Sequence, residues 1–152
     1  MLLQASVQEL REQRLPRENS LLVIAMRHYP RGVKKEWSDE FRNILAPAKD
    51  LLSDFKELEK SSGHQAAFHL CKYEERFFLT PIALFLLKKY SDESKKKDVY
   101  LICQCQPGQY CHREILLLIA KNKYGAPIGP IHNSYPTFEK RLWLENCHGD
   151  RR

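Results

Sequence analysis

A chain of 152 residues has the size of one domain and can bury a core without a disulfide or metal as a staple. Its 43% hydrophobic and 29% charged residues are ordinary for a globular protein, and no apolar stretch approaches the roughly 20 residues that span a bilayer, which excludes a membrane-spanning helix. A formal charge of +6 suits an anionic partner without naming one, so the placement of the charges matters more than their sum.

Met1 to Val7 is mildly apolar and suits the start of a strand, whereas Val7 to Arg14 alternates like a short surface helix. No basic n-region or long apolar core marks a secretion signal, and a cytoplasmic protein is the expectation. Leu21 to Met26 is an uninterrupted apolar run with the length of a strand buried on both faces. It ends in Arg27-His28-Tyr29-Pro30-Arg31-Gly32, with Lys34 and Lys35 following. Open α/β sheets place ligands just past the carboxyl ends of their strands, so Arg27, His28 and Arg31 become candidate anion ligands, with a solvated basic loop as the alternative.

Trp37 to Leu45 reads as a short helix capped by Ser38, with Phe41, Ile44 and Leu45 facing inward. Pro47 then suits the first turn of a helix whose stripe is Leu51, Leu52, Phe55 and Leu58, and Gly63 stops it. Gln65 to Phe77 is aromatic-rich and reads as helical, anchored by Phe68, Tyr73 and Phe77, with His69 and Cys71 as packing residues. Thr80-Pro81 caps a helix through Tyr90, where Ile82, Leu84, Phe85, Leu86 and Leu87 imply deep burial. Ser91 to Asp98 is an exposed connector; beyond Ala120, Gly125 and Pro127 stop a helix. Phe138 to Glu145 reads as a terminal helix docked by Phe138, Leu142 and Trp143, with Cys147-His148 and Arg151-Arg152 fraying.

The stretch that organises the chain runs from Val99 to Ala120: a buried strand to Cys103, a loop with Pro107-Gly108 turn chemistry, and a buried helix from Cys111. Cys103, Cys105, Cys111, His112 and Arg113 crowd this hinge, where a structural loop needs only turn formers. The five cysteines are an odd count, and in a reducing compartment they point to thiol chemistry or metal ligation rather than a disulfide framework. Cys111 at a helix N-terminus beside His112 and Arg113 has the surroundings that stabilise a thiolate nucleophile. Adjacent helical residues point about 100° apart, so His112 need not reach Cys111. The spacing of a phosphatase-type cysteine-to-arginine loop is absent. By softness, Cys103, Cys105, Cys111 and His112 are an acceptable zinc set, although Cys103 and Cys105 share a face only if the strand persists through Cys105. A third reading makes Cys103 a core thiol and His112 a loop hydrogen-bonder.

Met26-Arg27-His28-Tyr29-Pro30-Arg31-Gly32-Val33-Lys34-Lys35, Leu45-Ala46-Pro47-Ala48-Lys49-Asp50-Leu51, and Leu101-Ile102-Cys103 with Cys111-His112-Arg113 together resemble the domain-of-unknown-function family four-eight-eight, over roughly Leu21 to Tyr124. The resemblance implies a compact α/β domain with the Arg-Pro-Arg-Gly-like and Cys-His-Arg-like elements near each other, and it brings no assigned activity. Many members carry a glutamate two positions after the strand cysteine. Cys105 stands there in this chain, which withdraws one candidate acid or base and favours a thiol or metal role.

The expected architecture is a single α/β domain over residues 1–152, with a small, mostly parallel sheet flanked by helices, a core at 21–124 and a C-terminal extension at 125–152. The leading functional reading is a crevice that binds an anionic small molecule or nucleic-acid phosphate through Arg27, His28, Arg31, Arg113 and the Cys111 helix end. Cys111, His112 and Arg113 would be the catalytic group of that crevice, with no cofactor and no membrane partner. The alternatives are a zinc domain at Cys103, Cys105, Cys111 and His112, or a non-catalytic module that binds nucleic acid or protein.

Overall fold

The computed structural model describes residues 1–149, with side chains through Cys147. Arg151-Arg152 lie outside the described residues. Four strands, β1 (Leu2–Ser6), β2 (Ser20–Ile24), β3 (Glu40–Phe41) and β4 (Asp98–Cys103), form one sheet in the order β1-β4-β2-β3, with every pairing parallel. The register sets Ser6 beside Cys103 and Ile24 beside Ile102, so β1, β4 and β2 end at one edge. The Leu21 to Met26 and Val99 to Cys103 runs are adjacent parallel strands, and their hinges open together.

Alternation along these strands divides the core. Leu2, Val23, Val99 and Leu101 pack beneath the larger helical layer: α2 (Lys49–Ser62), α3 (His64–Leu70), α4 (Tyr73–Arg76), α5 (Pro81–Glu93), α6 (His112–Tyr124) and α7 (Pro136–Gly149). Ala5, Leu22, Ile24 and Ile102 face the other way, under α1 (Val7–Arg11) and the loop carrying Val33, Tyr29 and Trp37. Period-2 alternation with both faces covered is what an all-parallel sheet requires. The core also reaches past 21–124 at each end, taking in Leu2, Val7 and Leu10 from the N-terminus and Tyr135, Phe138 and Leu142 from the last segment.

Local chemistry explains the element ends. Ser6 and Glu9 form a reciprocal capping box that turns β1 directly into α1, so the first segment is a strand followed by a short helix. Gly125 closes α6 in the left-handed region at φ 66°, where a side chain is strained. Thr80 accepts the Ala83 amide at 3.2 Å and Pro81 opens α5. Thr80→Ala is expected to lower stability by about 1 kcal/mol, read as a shifted urea midpoint at unchanged slope.

Five expectations are corrected. Ser91 to Asp98 is not wholly an exposed connector, because α5 runs on to Glu93 and Ser91 and Ser94 are buried. Trp37 to Leu45 is two short 3-10 turns, Lys35–Trp37 and Asn43–Leu45, around β3, because Asp39 accepts the Leu22 amide and draws the chain onto the sheet edge. Phe41 and Ile44 are consequently exposed and only Leu45 is buried. The Gln65 to Phe77 helix breaks at Lys72, which adopts a left-handed conformation between α3 and α4. On α5 only one face meets α6, so Leu87 is buried while Ile82 and Phe85 are 73% and 74% exposed. Trp143 likewise points outward from α7, which docks through Phe138 and Leu142.

Candidate functional site

β4 ends at Cys103, and the chain bends through Gln104 and Cys105 before reaching α6. Cys111 is the N-cap of α6, with the extended dihedrals φ −156° and ψ 147°, and that conformation rather than a helical step aims its thiol toward the ring of the next residue. Cys111 Sγ lies 3.6 Å from His112 Nδ1, and Cys103 Sγ lies 3.9 Å from the same nitrogen. Cys105 Sγ is 3.9 Å from Cys103 Sγ even though β4 does not extend to it. The opposite ring nitrogen, His112 Nε2, donates to the Ala25 carbonyl at 2.6 Å, which orients the ring and aims Nδ1 at the sulfurs. Cys103, Cys111 and His112 are buried, and their ligand atoms all lie within 4.8 Å of one another.

The three thiols hold their protons unequally. Contacts from Cys105 and Cys111 pull the Cys103 thiol well below its ordinary range despite burial, and Cys105, facing Cys103, is pushed the other way. Burial opposes charge on His112, but the Cys103 and Cys111 sulfurs outweigh it and raise the imidazole well above its ordinary value.

This cluster forms the floor of a cavity of about 360 Å³ lined by Met26, Arg27 and His28 from the β2 hinge, Phe55, Lys56 and Glu59 from α2, and Phe68 and Tyr110. His64 pins the cavity loop, with its ring nitrogens 2.8 Å from Glu59 and 2.7 Å from the Tyr110 carbonyl. The sequence marks Phe55 and Phe68 only as packing residues and does not single out Lys56, Glu59 or His64. A polar residue beside an aromatic anchor at helical spacing was the only signal they gave. His69 is exposed and meets Tyr110 edge-on, whereas Cys71 is a buried packing residue.

The basic candidates separate. Arg27 and His28 line the cavity, with Arg27 donating to the Pro47 carbonyl at 2.7 Å. Arg31 is exposed and outside the lining, with its carbonyl accepting from Arg11. Arg113, expected in the crevice, is 2% exposed, is not part of the cavity lining, and donates to the Ala5 and Cys103 carbonyls. One helical step from His112 turns it inward. Glu114, unremarked in the sequence, is also buried and accepts from Gln4, the His132 amide, Asn133 and Tyr135. The Tyr135 hydroxyl in turn receives the Cys111 amide at 3.1 Å, so this network sets the position of the Cys111 backbone.

An all-parallel α/β domain with a Cys/His cluster at the carboxyl edge defines the class of protein. A family model, DUF488-N3a, described as the active DUF488-N3 subclade, matches residues 5–123, and the chain belongs to this DUF488 family. No curated protein and no solved structure matches it. Among the described residues no helix is long and apolar enough to cross a membrane.

Proposed function

We propose that Cys103, Cys111 and His112 form a metal centre, zinc by donor chemistry, on the floor of a cavity that takes an anionic ligand. The spacing of the donor atoms carries this reading. A tetrahedral zinc with bonds of about 2.3 Å to sulfur and about 2.05 Å to nitrogen holds its ligands about 3.6–3.8 Å apart, and the sulfur-to-nitrogen separations are 3.6 and 3.9 Å. The Ala25 carbonyl on Nε2 supplies the outer hydrogen bond that orients a metal-binding histidine. In the cavity above, Arg27 and Lys56 give the wall two cationic groups beside one carboxylate, Glu59, and the two cations are what would hold a phosphate- or carboxylate-bearing ligand. A bound zinc would supply Lewis acidity and an activated water or ligand oxygen there. The subclade's description as active is consistent with a working centre.

The Cys111–His112 contact also favours a second reading, in which Cys111 is a thiolate nucleophile paired with the imidazolium and no metal is held. Elemental analysis of protein purified without chelator separates the two. About one equivalent of zinc, with native thiols masked until a chelator is added, is expected for the metal centre. Metal-free protein with one fast-reacting thiol at neutral pH, assigned to Cys111 by peptide mapping, would replace it with the nucleophile.

A further inference from the structure

Cys103 and Cys105 are two residues apart, and a strand carried through both would hold their Cα atoms about 6.6 Å apart with parallel side chains. The bend over Gln104 and Cys105 turns the two thiols toward each other instead, sulfur to sulfur at 3.9 Å. A disulfide needs about 2.05 Å, so one sulfur has to travel about 1.9 Å. Cys103 is held: it closes β4, beside Ser6 of β1, and its carbonyl accepts from Arg113. Cys111, whose sulfur is also within 4.8 Å of Cys103, is held as well, because it caps α6, is 2% exposed, and donates its amide to the Tyr135 hydroxyl. Cys105 is the one that can move. It lies outside every strand and helix, half-buried in the cavity lining, and the turn bonds of its loop join Gln106 to Gln109, beyond it.

We propose that Cys103 and Cys105 are a reversible dithiol pair, a modification site that a hydroperoxide oxidises to a disulfide. The Cys105 sulfur, the more exposed of the two, takes the terminal oxygen of the peroxide; the O–O bond breaks and the alcohol, or water from hydrogen peroxide, leaves with the thiol proton. The Cys103 sulfur then attacks the sulfenic sulfur of Cys105. The S–S bond forms, the S–O bond breaks, and hydroxide leaves with the Cys103 proton as water. Two thiols have given two electrons to one peroxide, and an external thiol that reaches Cys105 from the cavity restores the pair by exchange. The bond needs no metal. Its consequence for an ion rests on the metal reading above: a Cys103 sulfur tied to Cys105 is withdrawn from the group it forms with Cys111 and His112, and the centre loses one of its three ligands.

The full chain, stripped of metal by a chelator, is treated with hydrogen peroxide, alkylated and digested with trypsin, which leaves Cys103, Cys105 and Cys111 together in the peptide Asp98–Arg113. That peptide is expected to carry one alkyl group, on Cys111, with Cys103 and Cys105 joined, and dithiothreitol is expected to return all three thiols. A bond that includes Cys111, a sulfinic acid at Cys105 without a bond, or alkylation of all three cysteines overturns the pair. Cys105→Ser changes a half-buried loop position and should abolish the bond; a Cys103–Cys111 disulfide in that variant would overturn the argument that only the loop supplies the moving sulfur. Protein loaded with Co²⁺ reads the effect on the ion, because the sulfur-to-cobalt charge-transfer absorbance is lost when the ion leaves its thiolates. Peroxide is expected to bleach that band in wild type and to spare it in Cys105→Ser. Equal bleaching in both overturns the link between pair and centre, whereas wild-type protein that takes up no cobalt overturns the metal reading alone, since the pair is judged on metal-free protein.

Discussion

Alanine at position 112 is expected to lower stability by about 3–5 kcal/mol, the range for a large buried side chain that also leaves a carbonyl unpaired. His112 is 4% exposed, its ring sits 6.2 Å from that of Phe77, and its Nε2 is the hydrogen-bond partner of the Ala25 carbonyl beyond β2. Loss of packing and of that bond acts whether or not a metal is present. Loss of a ligand acts only when metal is available, since an ion bound to the native state adds stability with the logarithm of its concentration over its dissociation constant. Urea unfolding of wild type and His112→Ala, each with zinc and with chelator, separates these contributions. The gap between the two proteins should widen in zinc; the same gap under both conditions would mean that His112 is a structural residue only.

Much of this site was legible in the chain because its parts lie where local signals are strongest. Leu21 to Met26 and Val99 to Cys103 are apolar runs that end abruptly in functional side chains, and a parallel sheet brings two such ends together. The fate of Arg113 was hidden, because its direction depends on where α6 begins. With Cys111 as an extended N-cap, Cys111 and His112 share the cavity and Arg113 rotates beneath them. Glu114 was hidden for a related reason: its donors, Gln4, His132, Asn133 and Tyr135, come from both ends of the chain, and no periodicity links segments so far apart. Ile82, Phe85 and Trp143 show the opposite failure. Their hydrophobicity is a local property, whereas burial depends on which face of α5 or α7 meets a neighbour.

Glu114 carries the second large effect. Burial raises its carboxyl pKa, but the hydrogen bonds from Asn133, the His132 amide, Gln4 and Tyr135 more than reverse this and hold it below the usual carboxylate range. A carboxyl whose folded value lies below its unfolded value of about 4.3 adds stability that is complete above that value and is lost as pH falls through the folded one. Glu114→Gln keeps the shape but turns one acceptor into a donor facing donors, and is expected to cost about 2–3 kcal/mol at neutral pH. The difference between wild type and Glu114→Gln should therefore shrink as metal-free protein is acidified below about pH 4, and a constant difference would show that the carboxylate charge contributes nothing. The same substitution perturbs Tyr135, which holds the Cys111 amide, so cobalt retention should fall in Glu114→Gln although Glu114 touches none of the ligands. The Cys111 backbone is thereby tied, through one phenol and one carboxylate, to β1 and to the 130–135 loop at opposite ends of the chain.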